Sequence, residues 1–222
     1  MKGKIIVIEG CTDGIGKTTQ FNILKERLIK EGYFVKSHHF PSYNTKEGAL
    51  VESYLNGEFG KIESLSPYFI NSLYAIDRAI TWNMDLKKSY ENGDIILLDR
   101  YTTSSLIYQS CLIDDLDKKK EFLDYVTDFE YNKLGVGRPD NVIFLTANYD
   151  IVKKQRENRR FNEGVQKDIH EKNDDFLKKV YENSLFVADY LSWDNVKCDQ
   201  DDKMRNIDDI QKDVYTLVKK KR

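Results

Sequence analysis

The sequence has little cysteine, little proline and almost no net charge. Its 222 residues include 3 cysteines and 3 prolines, and 35 basic against 37 acidic residues give a formal net charge of −2. A charge this close to zero excludes an overall positive field that would hold a polyanion, so no nucleic-acid partner is expected. Because Cys11, Cys111 and Cys198 lie far apart without a metal-binding spacing, we expect a reducing, cytoplasmic compartment.

Long apolar runs are absent as well. The run near the N-terminus covers residues 5–8, much shorter than the core of a signal peptide, and no later run approaches the roughly 18 apolar residues of a membrane span. We therefore expect a soluble chain without a membrane partner. Hydrophobic residues make up 40% of the sequence and charged residues 32%, which is typical of a globular protein. One domain over residues 1–222 is expected.

Short apolar runs alternate along the chain with segments of helical periodicity. Continuous, isoleucine-rich runs at 5–8 and 95–98 are typical of strands buried on both faces of a parallel sheet. Further strands are predicted at 34–40, 142–145 and 195–198, and helices at 18–30, 68–90, 118–128, 151–158, 174–191 and 207–219. This order predicts an α/β fold with a doubly wound parallel sheet of about five strands, with ligands at the carboxyl ends of the strands.

A glycine-rich loop joins the first predicted strand to the first predicted helix. Residues 9–19, EGCTDGIGKTT, match the Walker A pattern of P-loop NTPases at Gly16, Lys17 and Thr18. The glycines would let backbone N–H groups approach phosphate oxygens, Lys17 would reach the β- and γ-phosphates, and the Thr18 hydroxyl would ligate Mg²⁺. The predicted ATP-binding residues are Gly10, Gly14, Ile15, Gly16, Lys17, Thr18 and Thr19.

The loop is one residue longer than the Walker A pattern. Counting back from Gly16 places Cys11, and not Gly10, at the first glycine position. Two geometries are therefore open: either Gly10 keeps the tight turn and a residue bulges out, or Cys11 adopts the turn at a steric cost. Phosphate binding is the expected function of the loop in both.

A second set of residues is expected to form the site of the phosphate acceptor. It follows the second and third predicted strands and occupies one face of the long helix between them; its members are Phe40, Pro41, Tyr74, Arg78, Asp99, Arg100, Tyr101, Ser104, Ser105, Tyr108 and Gln109. Together with Asp13 in the loop, this set resembles the thymidylate kinases in order and approximate spacing over nearly the whole chain. The stretches YLNGEFG, KDIHEK and FLKKVYENSLFVA look most like the clostridial-type bacterial members.

This resemblance implies that the chain transfers the γ-phosphoryl group of Mg·ATP to thymidine monophosphate, giving thymidine diphosphate, and that it forms a homodimer. The acceptor phosphate would be placed by Asp13, Arg100 and the Phe40-Pro41 pair. The resemblance also assigns the lining of the base and sugar to Ser104, Ser105, Tyr108 and Gln109.

Tyr74 and Arg78 lie four residues apart and therefore share a helix face. On that face Tyr74 would stack on the base while Arg78 donates to a base carbonyl. The alternative is that Tyr74 packs in the core and Arg78 forms a surface ion pair. Asp99, at the end of a buried strand, would hold Mg²⁺ with Thr18, or would cap the following helix.

The family supplies a catalytic arginine either from the P-loop or from a lid. No arginine follows Asp13 in this loop, so the resemblance assigns the role to Arg156, Arg159 or Arg160, in or next to a lid predicted at about 157–175. The lid departs from the usual DRxE signature, because Ile169 stands where arginine is common. Ser42 likewise stands where many members have an arginine for the acceptor phosphate.

Two other functions are compatible with the sequence. A deoxynucleoside kinase would share the P-loop and need a general base, for which Glu9 is placed directly before Gly10. A nucleotide-binding module without turnover would account for the lengthened loop and for Ile169. The Phe40-Pro41 pair and Arg100 favour an acceptor that already carries a phosphate.

Overall fold

Five parallel strands form the central sheet of the computed structural model, which describes residues 2–163 and 174–220, with side chains at 2–158 and 174–220. They are β1 (Lys4–Gly10), β2 (Val35–His39), β3 (Ile95–Asp99), β4 (Asn141–Thr146) and β5 (Asp194–Lys197). Their spatial order is β2-β3-β1-β4-β5. The predicted α/β fold with a five-stranded parallel sheet is confirmed, with each predicted strand found to within a few residues.

Helices connect the strands and cover the sheet. They are α1 (Lys17–Lys30), α2 (Ala49–Leu55), α3 (Pro67–Thr81), α4 (Lys87–Asn92), α5 (Thr102–Tyr108), α6 (Leu116–Thr127), α7 (Tyr149–Glu163), α8 (Asp174–Tyr190) and α9 (Ile207–Lys220). A short antiparallel hairpin, β6 (Asp199–Gln200) and β7 (Lys203–Met204), follows β5. The hairpin and the helices α2 and α5 were not predicted from the sequence. No described helix has the length and apolarity needed to cross a membrane.

Two helices contain a π-helical turn. The helix predicted at 68–90 consists of α3, a π turn at Trp82–Leu86, and α4. A second π turn, Asp128–Lys133, extends α6 by six residues beyond its α-helical part. Because a π turn closes i→i+5 hydrogen bonds, it shifts the side chains that follow it around the helix axis.

The core lies on both faces of the sheet because alternate residues of β1 point to opposite sides. Ile6 and Ile8 pack into a large cluster with α1, α6, α8 and α9, whereas Ile5 and Val7 pack with Trp82 and its neighbours. Burial on both faces explains why β1 and β3 read as continuous apolar runs. The edge strand β2 is only partly buried, in keeping with its polar sequence.

The sheet brings the loop after β1 and the segment after β3 to one edge. Ile8 pairs with Asp99, and the backbone N–H of Arg100 donates to the carbonyl of Ile8. Parallel neighbours end side by side, so residues 10–18 and 99–109 face the same space. The predicted lid at 157–175 falls largely outside the described residues, because 164–173, with Ile169, are not described.

Candidate active site

Three glycines shape the glycine-rich loop. Gly14 and Gly16 take left-handed backbone angles, with φ of 90° and 94°. A Cβ atom at Gly10 would lie 2.5 Å from Cγ2 of Ile15 and 3.0 Å from Cγ of Lys17, so only glycine fits there. Cys11 instead continues alongside β4, with its N–H donating to Leu145 at 2.9 Å. Of the two predicted loop geometries, Gly10 is the position where the loop packs too closely for a side chain, and Cys11 does not take a left-handed turn.

Asp13 lies between two cations. Its Oδ1 accepts from Nζ of Lys17 at 3.1 Å and also contacts the guanidinium of Arg100, while Oδ2 accepts from the Tyr108 hydroxyl at 3.3 Å. Burial raises the pKa of the Asp13 carboxyl, but the charges of Arg100 and Lys17 outweigh burial and hold that pKa well below its usual range. Two cations thus share the Asp13 carboxylate, and the carboxylates of Asp99 and Glu9 lie near Arg100 as well.

Thr18 and Asp99 meet at the start of α1. The Thr18 hydroxyl donates to Oδ2 of Asp99 at 2.9 Å, and Nδ1 of His39 lies 3.2 Å from the same oxygen. Oδ1 of Asp99 is buried and has no partner among the described residues. Burial raises the pKa of Asp99, but the His39 hydrogen bond and Lys17 outweigh it and lower that pKa. A hydroxyl beside an ionised carboxylate with a spare oxygen fits the ligand preference of Mg²⁺.

A cleft beside the loop brings together every residue predicted for the acceptor base, sugar and phosphate. We call it the acceptor cleft, and its lining is Asp13, Phe40, Pro41, Tyr43, Leu55, Tyr74, Arg78, Arg100, Tyr101, Ser104, Ser105, Tyr108 and Gln109. Tyr43 and Leu55 were not predicted as site residues, and Tyr101 belonged to a predicted motif but was given no role of its own. We call the surroundings of Arg78 and of Arg100 in this cleft the Arg78 end and the Arg100 end.

At the Arg78 end, the guanidinium is held by a buried carboxylate. Nε and Nη2 of Arg78 donate to Oε2 and Oε1 of Glu130 at 2.7 and 2.6 Å, and Nη2 also donates to Oγ of Ser105 at 2.8 Å. Arg78 is 1% exposed and Glu130 is 0% exposed. Arg78 is therefore not a surface ion-pair partner. Glu130 was missed in the sequence analysis, because nothing in its neighbourhood resembles a site motif.

The aromatic rings of the cleft pack against one another. The ring of Tyr74 meets that of Tyr54 edge to face at 6.1 Å, and its centroid lies 6.0 Å from Cζ of Arg78. Elsewhere in the lining, Phe40 packs against Tyr101, with 5.6 Å between the ring centroids. Because these contacts hold the rings in place, the cleft offers a preformed apolar slot with polar groups at both ends.

Ser42 does not line the acceptor cleft. Its Oγ lies 2.9 Å from Nε2 of His38 and 3.2 Å from Oγ1 of Thr81, and its N–H donates to Asp77 at 2.9 Å. These contacts keep Ser42 buried behind the cleft wall. Arg100 is therefore the arginine that the described residues place at the end of the cleft nearest the glycine-rich loop.

Glu9 is enclosed by hydroxyl groups. Its Oε2 accepts from Thr103 and Ser104 at 2.9 and 2.5 Å, and its Oε1 accepts from the N–H of Gly10 at 3.0 Å. The residue is fully buried and is not part of the cleft lining. Glu9 thus anchors α5 to the glycine-rich loop.

Arg156 of α7 lies against the glycine-rich loop. A Cβ atom at Gly14 would come within 2.9 Å of the backbone nitrogen of Arg156, so the helix touches the loop there. The contact between Nη2 of Arg156 and Oδ1 of Asp174 is long, at 3.5 Å. The Nε and Nη1 atoms of Arg156 are buried and have no hydrogen-bond partner in the part of the chain that the structure describes. The side chains of Arg159 and Arg160 lie outside the described residues.

The glycine-rich loop and the cleft therefore meet at Asp13, which contacts Lys17 on one side and Arg100 on the other. A glycine-rich loop between a strand and a helix that opens onto such a cleft is the arrangement expected of a P-loop nucleoside monophosphate kinase. The family model of thymidylate kinases matches residues 8–200. The chain belongs to the thymidylate kinase family.

Individual relatives agree with this assignment along the full chain. The chain is 31% identical to the thymidylate kinase of Thermoanaerobacter sp., over 99% of both chains. It is 32% identical to that of Prochlorococcus marinus, over 91% of this chain and 92% of that one. The fold is similar to that of the Candida albicans thymidylate kinase structure, with a TM-score of 0.73, 23% identity and coverage of 99% and 92%. Because the organisms are varied, the comparison does not single out clostridial-type members.

Proposed function

We propose that the chain transfers the γ-phosphoryl group of ATP to thymidine monophosphate, giving thymidine diphosphate and ADP. The observation that carries this proposal is the position of Asp13 between Lys17 and Arg100. Two phosphate-binding cations that share one carboxylate are close enough for the donor and acceptor phosphates to meet between them. Phosphoryl transfer requires such in-line placement and charge stabilisation more than it requires covalent chemistry.

On the donor side, the backbone N–H groups of residues 10–19 and the N-terminus of α1 would hold the ATP phosphates. Lys17 would contact the β- and γ-phosphates. Thr18 and Asp99 would hold Mg²⁺, which supplies positive charge to the transferring phosphoryl group when bound. The spare, buried Oδ1 of Asp99 supports this role.

On the acceptor side, Arg100 and Asp13 would position the phosphate of thymidine monophosphate, and Phe40-Pro41 would close the cleft over it. Tyr74 would stack on the thymine ring and Arg78 would donate to a ring carbonyl. Four cleft-lining side chains would surround the base and deoxyribose: Ser104, Ser105, Tyr108 and Gln109.

Arg156 would add charge to the transition state from α7. Its contact with the loop and its two unpartnered guanidinium nitrogens support this role. Arg159 and Arg160, one turn further along the same helix, remain predicted contributors from the lid segment. We also retain the predicted cytoplasmic location, supported by three cysteines that are all buried and free.

A deoxynucleoside kinase is the second candidate, and the surroundings of Glu9 speak against it. A general base must reach the substrate hydroxyl, yet both oxygens of Glu9 are occupied by Thr103, Ser104 and Gly10. A nucleotide-binding module without turnover would not need the paired cations around Asp13.

A coupled assay for ADP formation separates these functions. With Mg·ATP we expect rapid turnover on thymidine monophosphate, at least about 10²-fold slower turnover on thymidine, and only background ADP without an acceptor. Faster turnover on thymidine would favour the deoxynucleoside kinase. Background rates with every acceptor, in a folded protein that binds ATP, would favour the module without turnover.

We further propose that the enzyme is a homodimer that associates through an apolar stripe on the helix containing α3. Phe69, Ile76, Ile80 and Met84 follow one another at near-helical spacing and are all exposed. Ile76→Lys should shift the mass measured by light scattering from dimer to monomer, whereas Ile207→Lys, at an exposed isoleucine on α9, should not. A monomeric wild-type protein would refute this proposal.

A further inference from the structure

The pairing of Arg78 with Glu130 restricts what Arg78 offers to a ligand. Glu130 takes up the edge of the guanidinium formed by Nε and Nη2, and Ser105 accepts from Nη2 as well. Nη1 has only a long contact of 3.4 Å, to the carbonyl of Tyr101. Nη1 is therefore the part of Arg78 with hydrogen-bonding capacity left for the acceptor cleft.

Glu130 is itself fixed from a second direction. The hydroxyl of Thr102, at the start of α5, donates to Oε2 of Glu130 at 2.7 Å. The π turn at Asp128–Lys133 carries Glu130 inward, so that this residue is fully buried while Asp128 in the same turn remains exposed. The carboxylate is held on both sides and cannot rotate without breaking a buried hydrogen bond.

The two ends of the cleft therefore differ in how their cations are paired with carboxylates. At the Arg78 end, one arginine faces one carboxylate and both are sealed from solvent, so the pair is neutral. At the Arg100 end, Lys17 and Arg100 both contact the carboxylate of Asp13, which is partly exposed, so a phosphate can replace that carboxylate as their partner. An anionic phosphate is drawn to the Arg100 end, and the Arg78 end is left to an uncharged ring.

We propose that Glu130 is a positioning residue for base recognition: it orients Arg78 so that Nη1 donates to a pyrimidine carbonyl, and it neutralises Arg78 so that the acceptor's phosphate does not bind there. Arginine has donors and no acceptors, so this arrangement selects a ring carbonyl over a ring amino group at the same position. The acceptor class favoured is a monophosphate of thymine or uracil over one of cytosine.

Glu130→Gln tests this role with little change in shape. The amide NH₂ would face the donors of Arg78, which removes one of the two hydrogen bonds and leaves Arg78 charged and able to rotate. We expect the KM for thymidine monophosphate to rise at least about tenfold, with kcat and the KM for ATP within about twofold of wild type. The preference for thymidine monophosphate over deoxycytidine monophosphate should fall by a similar factor.

A double-mutant cycle separates positioning from general loss of structure. In an Arg78→Met background, adding Glu130→Gln should change the acceptor KM no further, because Glu130 acts through Arg78. Asp128→Asn, in the same π turn but exposed, is the matched control and should leave every constant unchanged. If Glu130→Gln does not yield folded protein, Thr102→Val removes the second hydrogen bond at similar volume and should raise the acceptor KM about threefold.

The inference rests on the proposed function, and wild-type turnover on thymidine monophosphate tests that function separately. Given that turnover, an unchanged acceptor KM in Glu130→Gln overturns the role of Glu130. The role is also overturned if Glu130→Gln raises the acceptor KM equally in the wild-type and Arg78→Met backgrounds. A fall in kcat with both KM values unchanged would overturn it too. If Thr102→Val has to replace Glu130→Gln in the test, an unchanged acceptor KM in Thr102→Val overturns the role of Glu130.

Discussion

The two ends of the acceptor cleft hold the same kind of ion pair in different surroundings. Arg78 and Glu130 are sealed from solvent and have each other as charged partners. Arg100 pairs with Asp13, whose side chain is 31% exposed and is also bound by Lys17. Breaking the first pair strands a buried charge, whereas Asp13 can exchange one partner for another. Burial thus makes one pair a fixed part of the cleft and leaves the other open to the proposed acceptor phosphate.

The largest difference is expected in stability. Arg78→Met should lower the free energy of unfolding by about 3–5 kcal/mol, because Glu130 is left buried and unpaired. Arg100→Met should cost about 1 kcal/mol or less, because Asp13 keeps Lys17 and reaches solvent. Urea unfolding of both variants checks this. Adding Glu130→Leu to Arg78→Met should restore much of the lost free energy of unfolding. If Arg78→Met and Arg100→Met lower the free energy of unfolding equally, the two ion pairs do not differ as described.

Lys17→Ala should have the largest effect on catalysis. We expect kcat to fall about 10³-fold, because the lysine supplies charge to the transferring group, while the unfolding midpoint stays close to wild type. Lys30→Ala, an exposed lysine near the end of α1, is the control for a generic loss of charge. Near-normal kcat in a folded Lys17→Ala protein would contradict the catalytic role of the Arg100 end.

Arg156→Ala should act on the rate and not on binding. We expect kcat to fall about 10²-fold with small changes in both KM values, because an arginine that contacts the phosphoryl group mainly in the transition state stabilises little else. Arg156→Lys should recover only part of kcat, since it keeps the charge but loses the planar fork. A rise in the ATP KM with kcat unchanged would make Arg156 a ground-state binding residue.

The smallest effect concerns pH. The pKa of Asp13 is lowered in the folded protein, so its ion pairs contribute stability above the unfolded pKa of about 4, and that contribution is lost as pH falls toward the folded pKa. The stability difference between wild type and Asp13→Asn should therefore be largest at pH 7 and shrink between pH 4 and 2. A difference that stays constant on acidification would mean that folding does not shift the pKa of Asp13.

The sheet could be predicted because its inner strands are buried on both faces and read as apolar runs. Helix α5 could not, because its sequence TTSSLIY begins with four hydroxyl residues that have no helical periodicity of apolar side chains. It is stabilised by tertiary contacts, since Thr102, Thr103 and Ser105 bond to Glu130, Glu9 and Arg78. Such contacts leave no local signal in the sequence.

In the candidate site, too, some residues have a signal in the sequence and others depend on tertiary contacts. Residues at the carboxyl end of a strand or just after it, such as Asp99 and Arg100, could be expected at one edge of the sheet from topology alone. Glu130 lies 52 residues from Arg78, in a polar stretch that reads as the solvated end of α6. Its burial depends on a π turn, which helical periodicity does not predict.

The π turn at Asp128–Lys133 also makes the cleft sensitive to chain length. A π turn accommodates one residue more than an α turn, so losing one residue between α6 and Glu130 would restore regular helix. Each residue advances an α-helix by about 100°, which would rotate Glu130 away from Arg78. A single-codon deletion could therefore alter the choice of nucleobase among relatives whose cleft-lining residues are identical, and an alignment restricted to those residues would not reveal it.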